Sequence, residues 1–373
     1  MARGLSISLV VLGHTSLPAW LNGPLSTVRL PLLFFVSGYL FNWERYRGQP
    51  GRLLRHRGRR LLVPYLAAGL LTFLFWLLAR RPTSPDAQAI PWWRPLAGWL
   101  YGSASAEWLV FNLPLWYLPA SFGGQVVFWG LLRLVASRSP ASQAAAALAL
   151  GLAGVALGQH IHLPWALDVA LAAQPFFWAG WFLRQARWMP GEGTAFPPAP
   201  AWARRPAAVA LAAGLWLAAL GINGSVAINT REYGQPLWFY AGGLGGSMLA
   251  LHVAAGLARW SPARAVLAYL GRHSMVVLNF HVGLAFPVLS WVLQAVAGDP
   301  LAGAWPLYWV WGLGSTAALA AWLGRHPRLA AWFEGTFQGT APAPSAPTSP
   351  RPAAVRGTLP TGAARRTPSG PRG

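Results

Sequence analysis

Apolar residues run along the chain in stretches of about 18 to 24, bounded by clusters of Arg, Pro, Gly and polar residues. A helix needs about 20 residues to cross the hydrocarbon core of a bilayer. On that scale the pattern predicts ten transmembrane helices, near 4–22, 25–43, 61–79, 114–136, 141–159, 163–183, 206–223, 236–258, 274–297 and 304–324. The long connection from about Arg80 to Asn112 is not a clean eleventh, because Pro82, Pro85, Pro91, Pro95, Gly98 and Gly102 interrupt it. It is expected to re-enter the membrane or to cap an outward cavity. From about Gly339 the apolar period ends in a Pro, Ala, Gly, Ser and Thr-rich stretch with scattered Arg, which lacks the apolar surface to offset its ordering entropy. The expected organisation is a transmembrane domain at 1–338 and a disordered tail at 339–373, with no internal repeat.

Composition strengthens the membrane reading. Hydrophobic residues make up 55% of the chain, charged residues 10%, and there are 23 Trp, a balance foreign to a soluble protein of this length. With no cysteine, disulfides, Cys-ligated metal and a thiol nucleophile are all excluded. The net charge of +21 comes entirely from arginine. If the N-terminus is cytoplasmic, 24 of the 29 arginines fall in cytoplasmic positions and only Arg29, Arg80, Arg81, Arg94 and Arg231 fall elsewhere. This pattern sets topology and attracts anionic lipid headgroups, so the expected partner is the bilayer and not nucleic acid. The expected fold class is an all-α polytopic membrane protein with both termini cytoplasmic. The first span lacks a small-residue cleavage site and is expected to remain as a helix.

Few polar groups interrupt the spans, and each is a candidate for chemistry. Arg3 and His14 are eleven residues apart on the first span, about three turns, so they share a face about 16 Å apart along the axis. A histidine at membrane depth is either functional or bonded to a backbone carbonyl. Ser37 and Gly38 lie beside Phe34, Phe35 and Tyr39 on the second span, where small residues also serve close helix packing. Trp116 and Tyr117 fall at one end of the fourth span, a position that aromatic belts also explain. Asn279 and His281 lie inside the ninth span and Asp168 inside the sixth, where Asp168 serves either a site or, equally, a structural ion pair with Arg133 or Arg29. Glu107 reads as solvated loop. His160 and His162 give weak metal spacing without a third ligand, and no metal site is expected.

Four segments in order carry a resemblance: ARGLSISLVVLGHT from Ala2, LPLLFFVSGYLF from Leu30 with RHRGRRLLVPYL from Arg55, LPLWYLPA from Leu113, and YLGRHSMVVLNFH from Tyr269. Together they resemble the membrane acyltransferase 3 family, and within it the fucose 4-O-acetylase-related branch, over Met1 to about Arg325. Arg, ten residues, His is that family's signature, matched by Arg3 and His14. The resemblance implies an inner-membrane O-acyltransferase, most simply O-acetyl, with acyl-CoA (acetyl-CoA) as donor substrate and no permanently bound cofactor. The implied acceptor is a hydroxyl of a cell-envelope or secreted glycan, or of a lipid-linked sugar. His14 would be the general base. Arg3, with Arg57 and Arg60 matching the family's Arg-x-x-Arg loop, would meet the phosphates of CoA. Trp116 and Tyr117 would wall the acceptor cavity, Ser37 or Asn279 would steady the oxyanion, and His281 would support the site.

Two departures stand out. Members of the family usually carry an acidic residue shortly before the arginine, so either the true start lies upstream of Met1 or that contact is missing. Many relatives have His-Met-Pro where this chain has Arg29, Leu30 and Pro31. A rival reading is a transporter or exporter of a small anionic or lipid-linked solute, against which stands the lack of a duplicated half with matching broken helices. An assembly partner without chemistry is a third.

Overall fold

In lipid every backbone N–H and C=O must be bonded within the protein, so apolar segments fold as helices. The computed structural model describes residues 1–185, 206–299 and 303–336. Among these the sole extended pairing is the isolated bridge of Ala227 with Glu232. The expected tail, 339–373, lies outside the described residues.

The first helix, α1 (Ala2–Gly13), stops well before the expected end near residue 22. Thr15 turns its hydroxyl back onto Leu12 O at 2.7 Å, and Pro18 has no N–H and disfavours helix at Leu17. His14 therefore caps a helix instead of lying within one. Next come α2 (Ala19–Tyr39) and the single turn α3 (Trp43–Tyr46), whose start is capped by Asn42 accepting from Arg45 N. The helix α4 (Pro50–Phe75) begins eleven residues earlier than expected, with Pro50 in its first turn. The arginine-rich stretch is thus helical and not a loop, because arginine is a good helix former and nothing before Pro64 breaks it. Arg57 and Arg60, three apart, consequently share a face.

A π turn (Trp76–Arg80) leads from α4 into α5 (Arg81–Thr83), followed by α6 (Pro85–Gln88) and α7 (Trp93–Tyr101). The stretch that follows is irregular yet packed inside the bundle. Leu109 and Asn112 are fully buried, and Asn112 Nδ2 donates to Asn279 O at 2.7 Å. A 3₁₀ turn (Leu113–Trp116) then opens α8 (Tyr117–Val135), and α9 (Pro140–Gly158) follows. The expected sixth span is broken into α10 (Leu167–Ala172) and α11 (Gln174–Gln185), bent by 60° where Pro175 withdraws a backbone donor.

The remaining helices are α12 (Pro206–Asn223), α13 (Pro236–Leu257), α14 (Ser261–Arg272), α15 (Ser274–Phe280), α16 (Phe286–Ala297), α17 (Trp305–Gly324) and α18 (Pro327–Glu334). A second π turn, His281–Ala285, joins α15 to α16. Among the described residues six helices are long and apolar enough to cross a membrane, or seven if the bent pair is one span. Helices also occupy the first, second and tenth expected positions. Of these α1 has only 12 residues, α2 carries Asn22, Pro24, Ser26 and Arg29, and α17 is rich in Trp, which hydropathy ranks low. The molecule is a multi-pass, all-helical membrane protein.

Close packing around the site depends on two glycines. A Cβ at Gly38 would collide with the backbone of Phe177, and one at Gly180 with the backbone of Phe35. The two contacts are reciprocal and set α2 directly against α11.

Candidate active site

Seven helices contribute to the lining of a cavity of about 910 Å³. From α1 come Arg3 and Ile7, from α2 Leu33 and Ser37, from α4 His56, Arg57 and Arg60, from α8 Tyr117 and Gln125, and from α15 Ser274 and Leu278. Arg45 and Arg184 complete a lining with five arginines and no carboxylate. Local bonds hold the cationic side in place. His56 Nδ1 and Tyr46 OH are 2.7 Å apart, Arg57 lies over the Tyr46 ring at 5.4 Å, and Arg184 Nη1 donates to Tyr39 O at 3.3 Å. Deeper in, Ser37 Oγ and Tyr117 OH are 3.0 Å apart. Gln125 Oε1 and Ser274 Oγ, also in the lining, are buried without a protein partner. Such a cavity suits a ligand with several negative charges at one end and a less polar stem.

The two histidines meet beyond that cavity. His14 lies eleven residues from Arg3 and His281 seven from Ser274, about 16 Å and about 10 Å along their helices. Their rings stand edge to face with centroids 5.0 Å apart, and His281 Nε2 is 3.2 Å from His14 Nδ1. Each Nδ1 also sits 2.8 Å from a carbonyl one turn back, Val10 O for His14 and Val277 O for His281. A carbonyl only accepts, so both Nδ1 atoms carry the proton. His281 Nε2 is then an acceptor, His14 Nδ1–H is shared between it and Val10 O, and His14 Nε2 keeps a free lone pair. The bond to a carbonyl one turn back is ordinary by itself, since His252 makes it with Met248 O at 2.8 Å. The contact between the rings is what distinguishes this pair. It orients one imidazole by means of another, as a third group orients the base in nucleophilic sites. The π turn that starts at His281 fits the same reading, because such turns gather at functional sites.

Arg3, Ser37, Arg57, Arg60 and Tyr117 therefore share one cavity, and His14 and His281 form one pair. Two other expected residues point elsewhere. Trp116 is buried with its ring edge-on to Tyr117 and does not line the cavity. Asn279 gives its amide N–H to Phe333 O at 3.2 Å, toward α18. Among the lining residues that escaped the sequence reading are Arg45, Arg184 and His56. The two arginines carried only a topological signal, and His56 none.

Asp168 pairs with neither Arg133 nor Arg29. It holds Arg231, with Nε to Oδ2 at 2.8 Å and Nη2 to Oδ1 at 3.2 Å, both groups buried. Among the described residues the non-glycine ones with left-handed backbone are Arg231 itself (φ 65°) and, just before Asp168 in the chain, Trp165 (φ 58°) and Ala166 (φ 48°). A bidentate buried pair supplies the rigidity that such backbone requires.

No curated protein and no solved structure matches the chain. A family model described as "Acyltransferase domain" matches residues 1–325, which takes in both histidines and the whole arginine-lined cavity. Over that length the agreement is decisive: the chain belongs to the acyltransferase 3 family, and it is a membrane acyltransferase.

Proposed function

We propose that the protein is an inner-membrane O-acyltransferase of the fucose 4-O-acetylase-related branch. It moves an acetyl group from acetyl-CoA to a hydroxyl of a cell-envelope or secreted glycan, or of a lipid-linked sugar. All ten apolar spans cross the membrane and both termini are cytoplasmic, so the arginine-lined cavity opens toward the compartment that holds CoA. The observation that carries this reading is the charge of the lining, five arginines with no carboxylate. The phosphates of CoA supply the matching charge. The family assignment favours transfer over transport.

In this reaction the acceptor oxygen attacks the thioester carbonyl while His14 Nε2 takes the hydroxyl proton. The carbonyl electron pair moves onto oxygen, then returns and expels the CoA thiolate, which recovers the proton from His14. Ester and thiol are the products. His281 holds the His14 ring in the tautomer that leaves Nε2 free.

The test is transfer from labelled acetyl-CoA by membranes that contain the full chain. Label is expected in carbohydrate as a base-labile ester, and its absence from carbohydrate overturns the acceptor class. Reporter fusions after Pro50 are expected in the cytoplasm and after Pro91 outside, and the reverse contradicts the orientation.

A further inference from the structure

The guanidinium of Arg29 lies flat against the end of α1. A Cβ at Gly13 would collide with Nη1, Cζ and Nε of Arg29 together, so only glycine lets the group come so near. The next residue is His14. Arg29 stands eight residues before Ser37, about 12 Å along α2, which sets it at the level of the histidine pair and away from the arginines of the cavity. Its charge is near enough to act on the His14 ring.

Arg29 Nη1 is buried without a hydrogen-bond partner. Among the described residues no carboxylate pairs with it, the ion pairs being those of Arg47, Arg94, Arg231 and His273. A buried donor on a cation is costly until an anion reaches it. Acyl transfer creates an anion next to the base that takes the proton. When the acceptor oxygen bonds to the thioester carbon, the C=O pair moves onto the carbonyl oxygen, and the charge lasts until the C–S bond breaks.

We propose that Arg29 is the oxyanion donor of this enzyme, its Nη1–H directed at the thioester carbonyl oxygen as the charge develops. This assignment rests on the acyl-transfer reading above. It replaces Ser37 and Asn279 in that role, since Ser37 is bonded to Tyr117 and Asn279 faces Phe333. Arg29 neither gains nor loses a proton in the cycle. A donor already held in place needs no reorganisation as the charge forms, which is where such groups are most effective.

A purely structural role is the competing account, with Arg29 balancing the negative end of the α1 dipole. Any cation at position 29 serves that purpose. The test is acetyl transfer from labelled acetyl-CoA by the full chain in membranes, with Arg29→Lys, Arg29→Ala and Arg29→Ala plus added guanidinium ion. Turnover is expected to fall about 10²-fold or more in Arg29→Ala with KM for acetyl-CoA within about twofold of wild type. Arg29→Lys is expected at least about tenfold below wild type because the fork is lost, and guanidinium ion to restore part of the Arg29→Ala turnover. Full turnover in Arg29→Lys, or a raised KM with turnover intact, overturns the proposal. Should Arg29→Ala fail to insert, Arg29→Lys alone decides. Absence of transfer by the wild type brings down the underlying reading instead, a result separable from any Arg29 effect.

Discussion

His14 Nδ1 and His281 Nε2 lie 3.2 Å apart, joining residues separated by 267 positions in the sequence. The proposed base, on a helix end, is thereby in contact with a ring that is distant in the sequence. If that contact matters for chemistry, His281→Phe, which keeps an aromatic ring but has no acceptor, lowers kcat by about 10- to 100-fold with KM for acetyl-CoA little changed. His281→Gln, which offers an acceptor in a similar place, recovers part of the loss. A packing role would leave the phenylalanine variant active.

The cationic cavity has a different kinetic signature. Arg57→Gln and Arg60→Gln are each expected to raise KM for acetyl-CoA by about tenfold, the effect of about 1.4 kcal/mol, and to leave kcat near wild type. Added salt weakens donor binding to the wild type more than to either variant, because fewer charges remain to be screened. Direct binding of a labelled CoA analogue measures both effects.

Asp168 and Arg231 test stability apart from chemistry. Both are buried and joined by two hydrogen bonds, so Asp168→Asn leaves a guanidinium with no counter-charge. The expected cost is about 3–5 kcal/mol, seen as a lower unfolding temperature in detergent. A double variant with Asp168→Leu and Arg231→Leu is expected to recover most of it, and the folded fraction of every variant to keep its turnover.

Gly38→Ala forces a methyl group into the backbone of Phe177 and pushes α2 from α11. The expected destabilisation is about 1–3 kcal/mol. Gly214→Ala on α12, where no atom lies within 4 Å of the new Cβ, is expected to be neutral or stabilising. Thermal unfolding of the two variants side by side checks the contrast.

Much of this molecule is visible in its one-dimensional pattern. Each of the ten apolar stretches contains helix, because lipid leaves the backbone no other solution. What the pattern hides depends on single residues and on contacts distant in sequence. Pro18 and the Thr15 hydroxyl end α1 early, and Pro175 bends the sixth stretch, while hydropathy averages over both. Arg57 and Arg60 are legible as a cationic pair, but the cavity they share with Arg45 and Arg184 exists only once α2, α4 and α11 pack. Asp168 finds Arg231 across 63 positions, a partner that no local spacing suggests. His14 and His281 are each visible as polar groups in apolar segments. Their contact is not, since it depends on how α1 meets α15.

The central claim is that His14 is the base. The most direct measurement is acetyl transfer from labelled acetyl-CoA by membranes containing His14→Ala, with donor binding followed separately by crosslinking of a CoA analogue. The account predicts a fall in turnover of about 10²-fold or more while crosslinking stays near the wild-type level, since Arg3, the arginine of the cavity that α1 carries, lies about 16 Å away along that helix. Turnover close to wild type in the His14→Ala protein would contradict it and return this histidine to helix packing.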